Sequence, residues 1–266
     1  MRKQRAQPLR LRFFYHQYCQ CLIGKNNLLN YIVQDVSVSK KNASNHLIMG
    51  EAELQTKAHQ LVIRANIYCY GDAASKDIAI QVADDIARHW NAPGASVNIR
   101  HSWYHVKFEI EGQYEPKLSP ETVWYNDNPR CNFFRIEEQA EGNISFVDGI
   151  GCNTGYFMLP NLLQTSTTAA HEFGHTLGLE HPKLLDIRGQ QIPGIMYPRG
   201  TICNPELQYN PQATPGQQGG TLNPHYRQVL LADIEMLKLH RLTFDENGFA
   251  VVGGFSSIYH EKHLIA

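Results

Sequence analysis

The chain of 266 residues lacks any run of 18 or more consecutive apolar residues, the minimum that a membrane-spanning helix needs. It also lacks an excess of charge: 24 Lys and Arg stand against 25 Asp and Glu, a formal net charge of -1 with a pI near 6.9. No broad basic face for nucleic acid or for an acidic membrane is therefore expected. Cysteine is sparse. Cys19, Cys21, Cys69, Cys131, Cys152 and Cys203 permit 15 pairings in a chain too long to need disulfides for a core, so pairing and compartment stay open. The Cys-x-Cys pair at 19 and 21 has no second pair at ligand spacing and is not read as a metal site. No internal repeat is present. The start is basic, with Arg2, Lys3, Arg5, Arg10 and Arg12, but the following FFYHQYCQCLIG is interrupted by His16, Gln17 and Gln20. Without an apolar core and a small-residue cleavage site it is not a conventional signal peptide.

What is present is enough apolar material, 42% of residues, to fill a core. Residues 1–55 show no sustained period and read as a leader, pro-segment or delivery region. From His59 the pattern sharpens. Leu61, Ile63, Ala65, Ile67 and Cys69 alternate with mostly polar neighbours, the period of a half-buried strand. Ile78, Val82, Ile86 and Trp90 then recur every four residues, with Asp72 or Ser75 as cap and Pro93-Gly94 as stop, predicting an amphipathic helix. Val97 and Ile99 open another strand, and the opposite parity of Val106, Phe108 and Ile110 places a bulge or tight turn within His101 to Tyr104. NFFRIEE at 132–138 and GYFMLP at 155–160 are further strand candidates. The order predicts a mixed α/β (α+β) domain over 56–266, a mixed sheet with helices packed on it. Residues 182–222 are rich in Pro and Gly, a connection too long to be ordinary and therefore either disordered or a functional wall. A last helix is predicted from Asn223-Pro224 through Leu237, with Val229, Leu230, Asp233, Ile234 and Leu237 inward, followed by a hairpin around Asn247-Gly248.

The chemistry concentrates in TTAAHEFGHTLGLEHP, residues 167–182. On a helix, residues i and i+4 share a face, so His171 and His175 can present ring nitrogens to one metal ion at about 2.0–2.1 Å. Glu172 lies about 100° around the helix and can instead reach a water on that ion, the position of a general base. Gly178 tolerates the left-handed conformation that ends a helix, letting the chain double back and bring His181 to the same ion. Three imidazoles leave a fourth position open for water, so the expected reaction is metal-assisted peptide hydrolysis with Zn2+ as cofactor.

The spacing of His171, Glu172, His175, Gly178 and His181 resembles the extended zinc motif of the metzincin metallopeptidases, and PGIMYP at 193–198 is similar to their Met-turn. HEFGHTLGLEH with IMYP is most similar to the matrix-metalloprotease-like branch, while Pro182 after the third histidine resembles the serralysin group. Met196 stands 15 residues after His181, longer than is usual in the matrix group. The resemblance implies a metzincin-like twisted sheet with an active-site helix and a C-terminal helix, and a zinc cleft between subdomains 56–181 and 182–266. It implies that Met196 forms an apolar floor under the metal and that Asp233 ties the last helix to the Met-turn. It further implies that the strand preceding the zinc helix is an exposed edge where an extended protein or peptide substrate pairs, assigning this to Tyr156, Phe157, Met158 and Leu159. Tyr197 and the loop beyond it are expected to wall the pocket for the side chain that follows the cut bond.

A zinc-dependent metalloendopeptidase is thus expected; the alternative is a catalytically silent zinc module that binds a protein partner in the same cleft. PRC at 129–131 is similar to the matrix-group cysteine switch but lacks the following Gly and Asp, so no latency role is assigned to Cys131. His101 and His105 with Asp148 are the only basis for a second zinc or a structural Ca2+, and they read more simply as strand-surface and loop residues. The chain is expected to be a monomer without a transmembrane segment. The basic start leaves room for secretion or delivery outside the cell by a non-classical route, as a toxin or effector.

Overall fold

The computed structural model describes residues 50–164, 167–190 and 192–263; Cys19 and Cys21, with most of the stretch expected as a leader, pro-segment or delivery region, lie outside them. Strand β2 (Gln60–Tyr70) organises the sheet. Leu61, Ile63, Ala65, Ile67 and Cys69, the residues of the alternating pattern, are all at most 1% exposed. One edge of β2 pairs in parallel with β4 (Ser102–Tyr114) from Gln60 to Cys69. The other edge is shared. Strand β1 (Glu51–Gln55) runs antiparallel to Gln60–Arg64, and β5 (Cys131–Glu137) runs parallel to Asn66–Tyr70. Strand β1 therefore belongs to the sheet although it falls within the stretch read as leader; Ala52 and Leu54 are its only apolar residues.

Helix α1 (Lys76–Asn91) carries the chain from β2 to β3 (Ser96–Ile99). Ser75, and not Asp72, caps it: the Ser75 hydroxyl accepts from the Ile78 N–H at 3.2 Å. Strands β3 and β4 form a hairpin in which Ile99 faces Ser102, with Arg100 and His101 as a two-residue loop at φ 49° and 69°. This is the tight turn expected near His101, and its two positive φ values match the right-handed twist of the flanking strands. After the short helix α2 (Pro120–Trp124) and β5, strands β6 (Phe146–Val147) and β7 (Thr154–Met158) complete the order β3-β4-β2-β5-β7-β6. The sheet is mixed, since β6 is antiparallel to β7 and β7 parallel to β5.

Two helices follow: α3 (Leu159–Gln164) and α4 (Thr167–Thr176), the latter carrying the histidines. Helix α1 buttresses α4 from the sheet side. The Trp90 indole N–H donates to the Ala170 carbonyl at 3.0 Å, and its ring packs on Phe108 and Phe173. Trp90 is 1% exposed, and removing such a ring costs about 3–5 kcal/mol.

Beyond α4 the chain is irregular but ordered. Residues 182–222 close around a small core of their own, Ile187, Cys203 and Leu222, packed by Tyr197 and Leu207. The long helix expected from Pro224 does not form. A single 3-10 turn, Pro224–Tyr226, gives way to extended backbone at Arg227, and only Leu231–Met236 is helical, as α5. The break has a cause: Gln228 bridges the backbone of Gly194, and its N–H donates to the Pro193 carbonyl at 3.0 Å, which a continuous helix would prevent. The Asn247-Gly248 turn is present, closed by the Asp245 N–H donating to the Phe249 carbonyl at 2.8 Å, and β8 (Phe249–Val251) then pairs along β1.

Arg100 and His101 bear side chains in a conformation that costs about 1–2 kcal/mol per residue outside glycine and asparagine. Replacing the pair by Asn-Gly is expected to raise the unfolding midpoint by a few °C, measured by calorimetry at constant pH.

Candidate metal centre

All ten residues of α4 are buried or nearly so, including His171, Glu172 and His175. The helix ends in a Schellman arrangement: the Leu179 N–H donates to the Gly174 carbonyl and the Gly178 N–H to the His175 carbonyl, both at 3.0 Å, with Gly178 at φ 93°. That reversal delivers His181 to the face of α4. Its Nε2 lies 3.1 Å from the Nε2 of His171 and 3.1 Å from that of His175. Corners of a tetrahedron around an ion with bonds of about 2.05 Å would be about 3.3 Å apart.

Tautomers follow from the outer partners. His171 Nδ1 faces the Ile195 carbonyl at 2.7 Å and His175 Nδ1 faces the Leu179 carbonyl at 2.7 Å. A carbonyl only accepts, so both Nδ1 atoms carry the proton and both Nε2 atoms present lone pairs. Three ring nitrogens meet with at most one proton among them, supplied by His181, and a cation resolves the repulsion. Among the described residues, His171, His175 and His181 are the group that could hold a metal ion.

The electrostatics favour neutral ligands. Burial, then the Arg227 charge and His175, hold His171 well below the ordinary imidazole range. Burial lowers His175 as well. His181 falls to about 4 through burial of the ring end that meets the other two, although the residue as a whole is exposed on the cleft side. Glu172 is pushed up to about 8 by burial, against the opposing pull of Arg227 and Arg199 and a hydrogen bond from the Val147 N–H. A dication held by the imidazoles would act on this carboxyl in the same direction as the arginines.

Met196 is fully buried beneath α4. A Cβ on Gly174 would stand 2.3 Å from its Sδ, so glycine at this position is what lets the methionine approach the helix between the two histidine turns. Asp233 sits behind the same turn. Its carboxylate accepts from the Leu230 N–H at 2.7 Å and from the Ile195 N–H at 3.4 Å, while the Ile195 carbonyl orients His171. Asp233 thus joins α5 to the turn that carries Met196.

Other expected site residues lie elsewhere. Strand β7 is not an edge, since β5 and β6 flank it; Tyr156 and Phe157 are 0% exposed, and Leu159 already belongs to α3. The edge is β6, with no strand on its outer side among the described residues, and Phe146 and Val147 line the cleft. A two-residue strand leaves no periodic trace, which is why the neighbouring longer strand attracted the assignment. Tyr197 does not line the cleft: its side chain packs in the core of the 182–222 segment, its carbonyl accepts from Arg227, and Pro198, Arg199 and Gly200 form the wall. Cys131 begins β5, buried against Tyr68, with burial raising its thiol pKa, the opposite of what a metal-binding thiolate requires. Asp148 accepts from His260 at 2.9 Å and is also bonded by Thr154, while His101 and His105 are exposed on the β3–β4 hairpin. Asn161, Thr168, Arg199 and Arg227 line the cleft without having been singled out in the sequence.

No protein-family model matches the chain, and no curated protein matches it.

Two outcomes follow from this geometry. The folded metal-free protein holds the Glu172 proton up to about pH 8, whereas the unfolded chain releases it near its ordinary value of 4.5. The folded state then binds more protons across that window, and this carboxyl's contribution to stability falls as pH rises through it. Metal-free Glu172→Gln should melt several °C above the wild type at pH 8, with the gap closing toward pH 5, by thermal denaturation monitored across pH. Asp233→Ala removes the acceptor of two backbone N–H groups, each worth about 1–3 kcal/mol when stranded in the interior. It should lower the melting midpoint and weaken metal binding about 10–100-fold in chelator competition, because the carbonyl that orients His171 loses its support.

Proposed function

We propose that this chain is a zinc-dependent metalloendopeptidase of the metzincin kind, with His171, His175 and His181 as zinc ligands and Glu172 as general base. The observation that carries the reading is the convergence of three Nε2 atoms beside a buried carboxyl on a helix that closes over Met196. An all-imidazole donor set with both helix histidines fixed through Nδ1 fits zinc better than Ca2+ or Mg2+, which take oxygen ligands. Bound there, zinc would supply Lewis acidity toward the attacking water and the scissile carbonyl.

The chain's own groups account for the rest. Glu172 takes the proton released as water attacks and returns it to the departing amine. Its hydrogen bond from the Val147 N–H aims the carboxyl at the cleft and ties its position to the edge of β6. That edge, Phe146–Val147 with the preceding Ile144 and Ser145, is the backbone template on which an extended peptide can lie. The peptide carbonyl is thereby presented across the histidine triad, and the residue after the cut bond points into the cavity beyond Glu172.

The test is cleavage of a mixed peptide library by the purified full chain loaded with zinc, read by mass spectrometry beside metal analysis. Glu172→Ala should keep one zinc per chain and lose about 10²–10⁴-fold in cleavage rate, and a chelator should abolish cleavage in the wild type. Wild-type protein that holds zinc stoichiometrically and cuts no peptide would sink the peptidase reading in favour of a silent binding module.

A further inference from the structure

The cleft, about 530 Å³ in all, is shared by the histidines and Glu172 with Asn161, Thr168, Arg199 and Arg227. Arg227 comes from the extended stretch where the expected helix breaks, and it is only 4% exposed. Its guanidinium touches neutral acceptors alone. Nη2 donates to Thr167 Oγ1 at 3.1 Å, Nε to the same oxygen at 3.4 Å, and Nη1 to the Tyr197 carbonyl at 3.1 Å. Among the described residues no carboxylate stands within ion-pair distance of it. A desolvated cation with no carboxylate bonded to it directly is costly, and a guanidinium with N–H groups to spare is shaped for two carboxylate oxygens.

Arg199 enters the same cavity from the loop wall, where its Nη2 donates to Asn161 Oδ1 at 2.8 Å. Arg227 feels the Glu172 carboxylate first and the Arg199 charge next. Glu172 is the one carboxylate among the residues lining the cavity, and the peptidase reading reserves it for the proton transfer. The cavity thus holds two guanidinium groups against a single carboxylate, one cation in excess.

We infer that Arg199 and Arg227 form a receptor for a substrate carboxylate on the leaving-group side of the cut, supplied by an Asp or Glu side chain or by a free carboxy terminus. This rests on the peptidase reading for the direction of the peptide, but the docking itself is a property of the two arginines. A Lys or Arg side chain would meet like charge there, and an apolar one would seal off the guanidinium without a partner. Discrimination therefore comes from attraction and exclusion together.

The experiment uses the zinc-loaded full chain and matched peptides that differ only in the residue after the cut: Glu, Gln, Leu or Lys, each with an amidated end. A second series keeps Gln there and ends in a free carboxylate directly after it. Glu over Gln should be favoured in kcat/KM by about 10-fold or more, as expected for charge-assisted pairing in a desolvated site. Arg199→Ala should narrow that ratio and Arg199→Glu should invert it toward Lys. Arg227→Lys, which keeps the buried charge and guards against misfolding, should narrow the ratio through loss of the planar fork. A preference confined to the free-carboxylate series assigns the terminus as the source. Equal cleavage of all four amidated peptides, with no gain from a free terminus, overturns the inference. Because peptidase failure would silence those arms, zinc-loaded Glu172→Gln is assayed for binding of the same fluorescent peptides. Tighter binding of carboxylate peptides that is lost on Arg199→Ala supports the receptor even without cleavage, and indifferent binding overturns it.

Discussion

Three imidazole nitrogens with their lone pairs turned toward one point repel each other, and a protein that places them so must hold each ring from behind. Here the holding groups are backbone carbonyls: Ile195 for His171 and Leu179 for His175. Both carbonyls sit in chain reversals. Leu179 follows the Schellman end of α4 directly, and Ile195 lies in the turn that carries Met196. The helix end therefore serves twice, sending His181 back to the cluster and supplying the acceptor that sets the tautomer of His175.

Everything packed around α4 protects that arrangement. Trp90 on α1 holds the Ala170 carbonyl from one side, and Met196 fills the gap left by Gly174. Asp233 steadies the Ile195 peptide from behind, so a buried carboxylate two hydrogen bonds removed from a ligand becomes part of the centre. The same burial raises the Glu172 pKa and lowers those of the histidines, so the neutral form is favoured at all three side chains. Arg227 is buried beside them, hydrogen-bonded to neutral acceptors and facing the Glu172 carboxyl across the cleft.

The parts legible in the sequence are those whose physics is local. Strand β2, helix α1 with its Trp90 face, strand β5 and the hairpin of β3 and β4 were visible because burial imposes a period of two or of about four over enough residues to count. Strands β1, β6 and β8, of five, two and three residues, were not, because their existence depends on the partner that happens to lie alongside. Sequence alone therefore points to β7, the longer neighbour, as the edge beside the cleft, and to a final helix running through Arg227, where tertiary pairing of Gln228 with Gly194 breaks it. In the 182–222 segment, Pro and Gly marked where the chain could not be regular without saying how it closes on itself.

The sequence by itself determined the triad, since helix geometry sets His171 and His175 one turn apart and glycine at 178 permits the reversal that returns His181 within six residues. It likewise determined that Glu172 would stand beside the cluster, and these relations hold wherever the helix is placed. Which carbonyls fix the rings, which edge borders the cleft and which cations lie at its end were decided only in the tertiary structure. Those contacts join residues dozens of positions apart, 24 between His171 and Ile195 and 60 between Thr167 and Arg227, and no short-range period or spacing carries them.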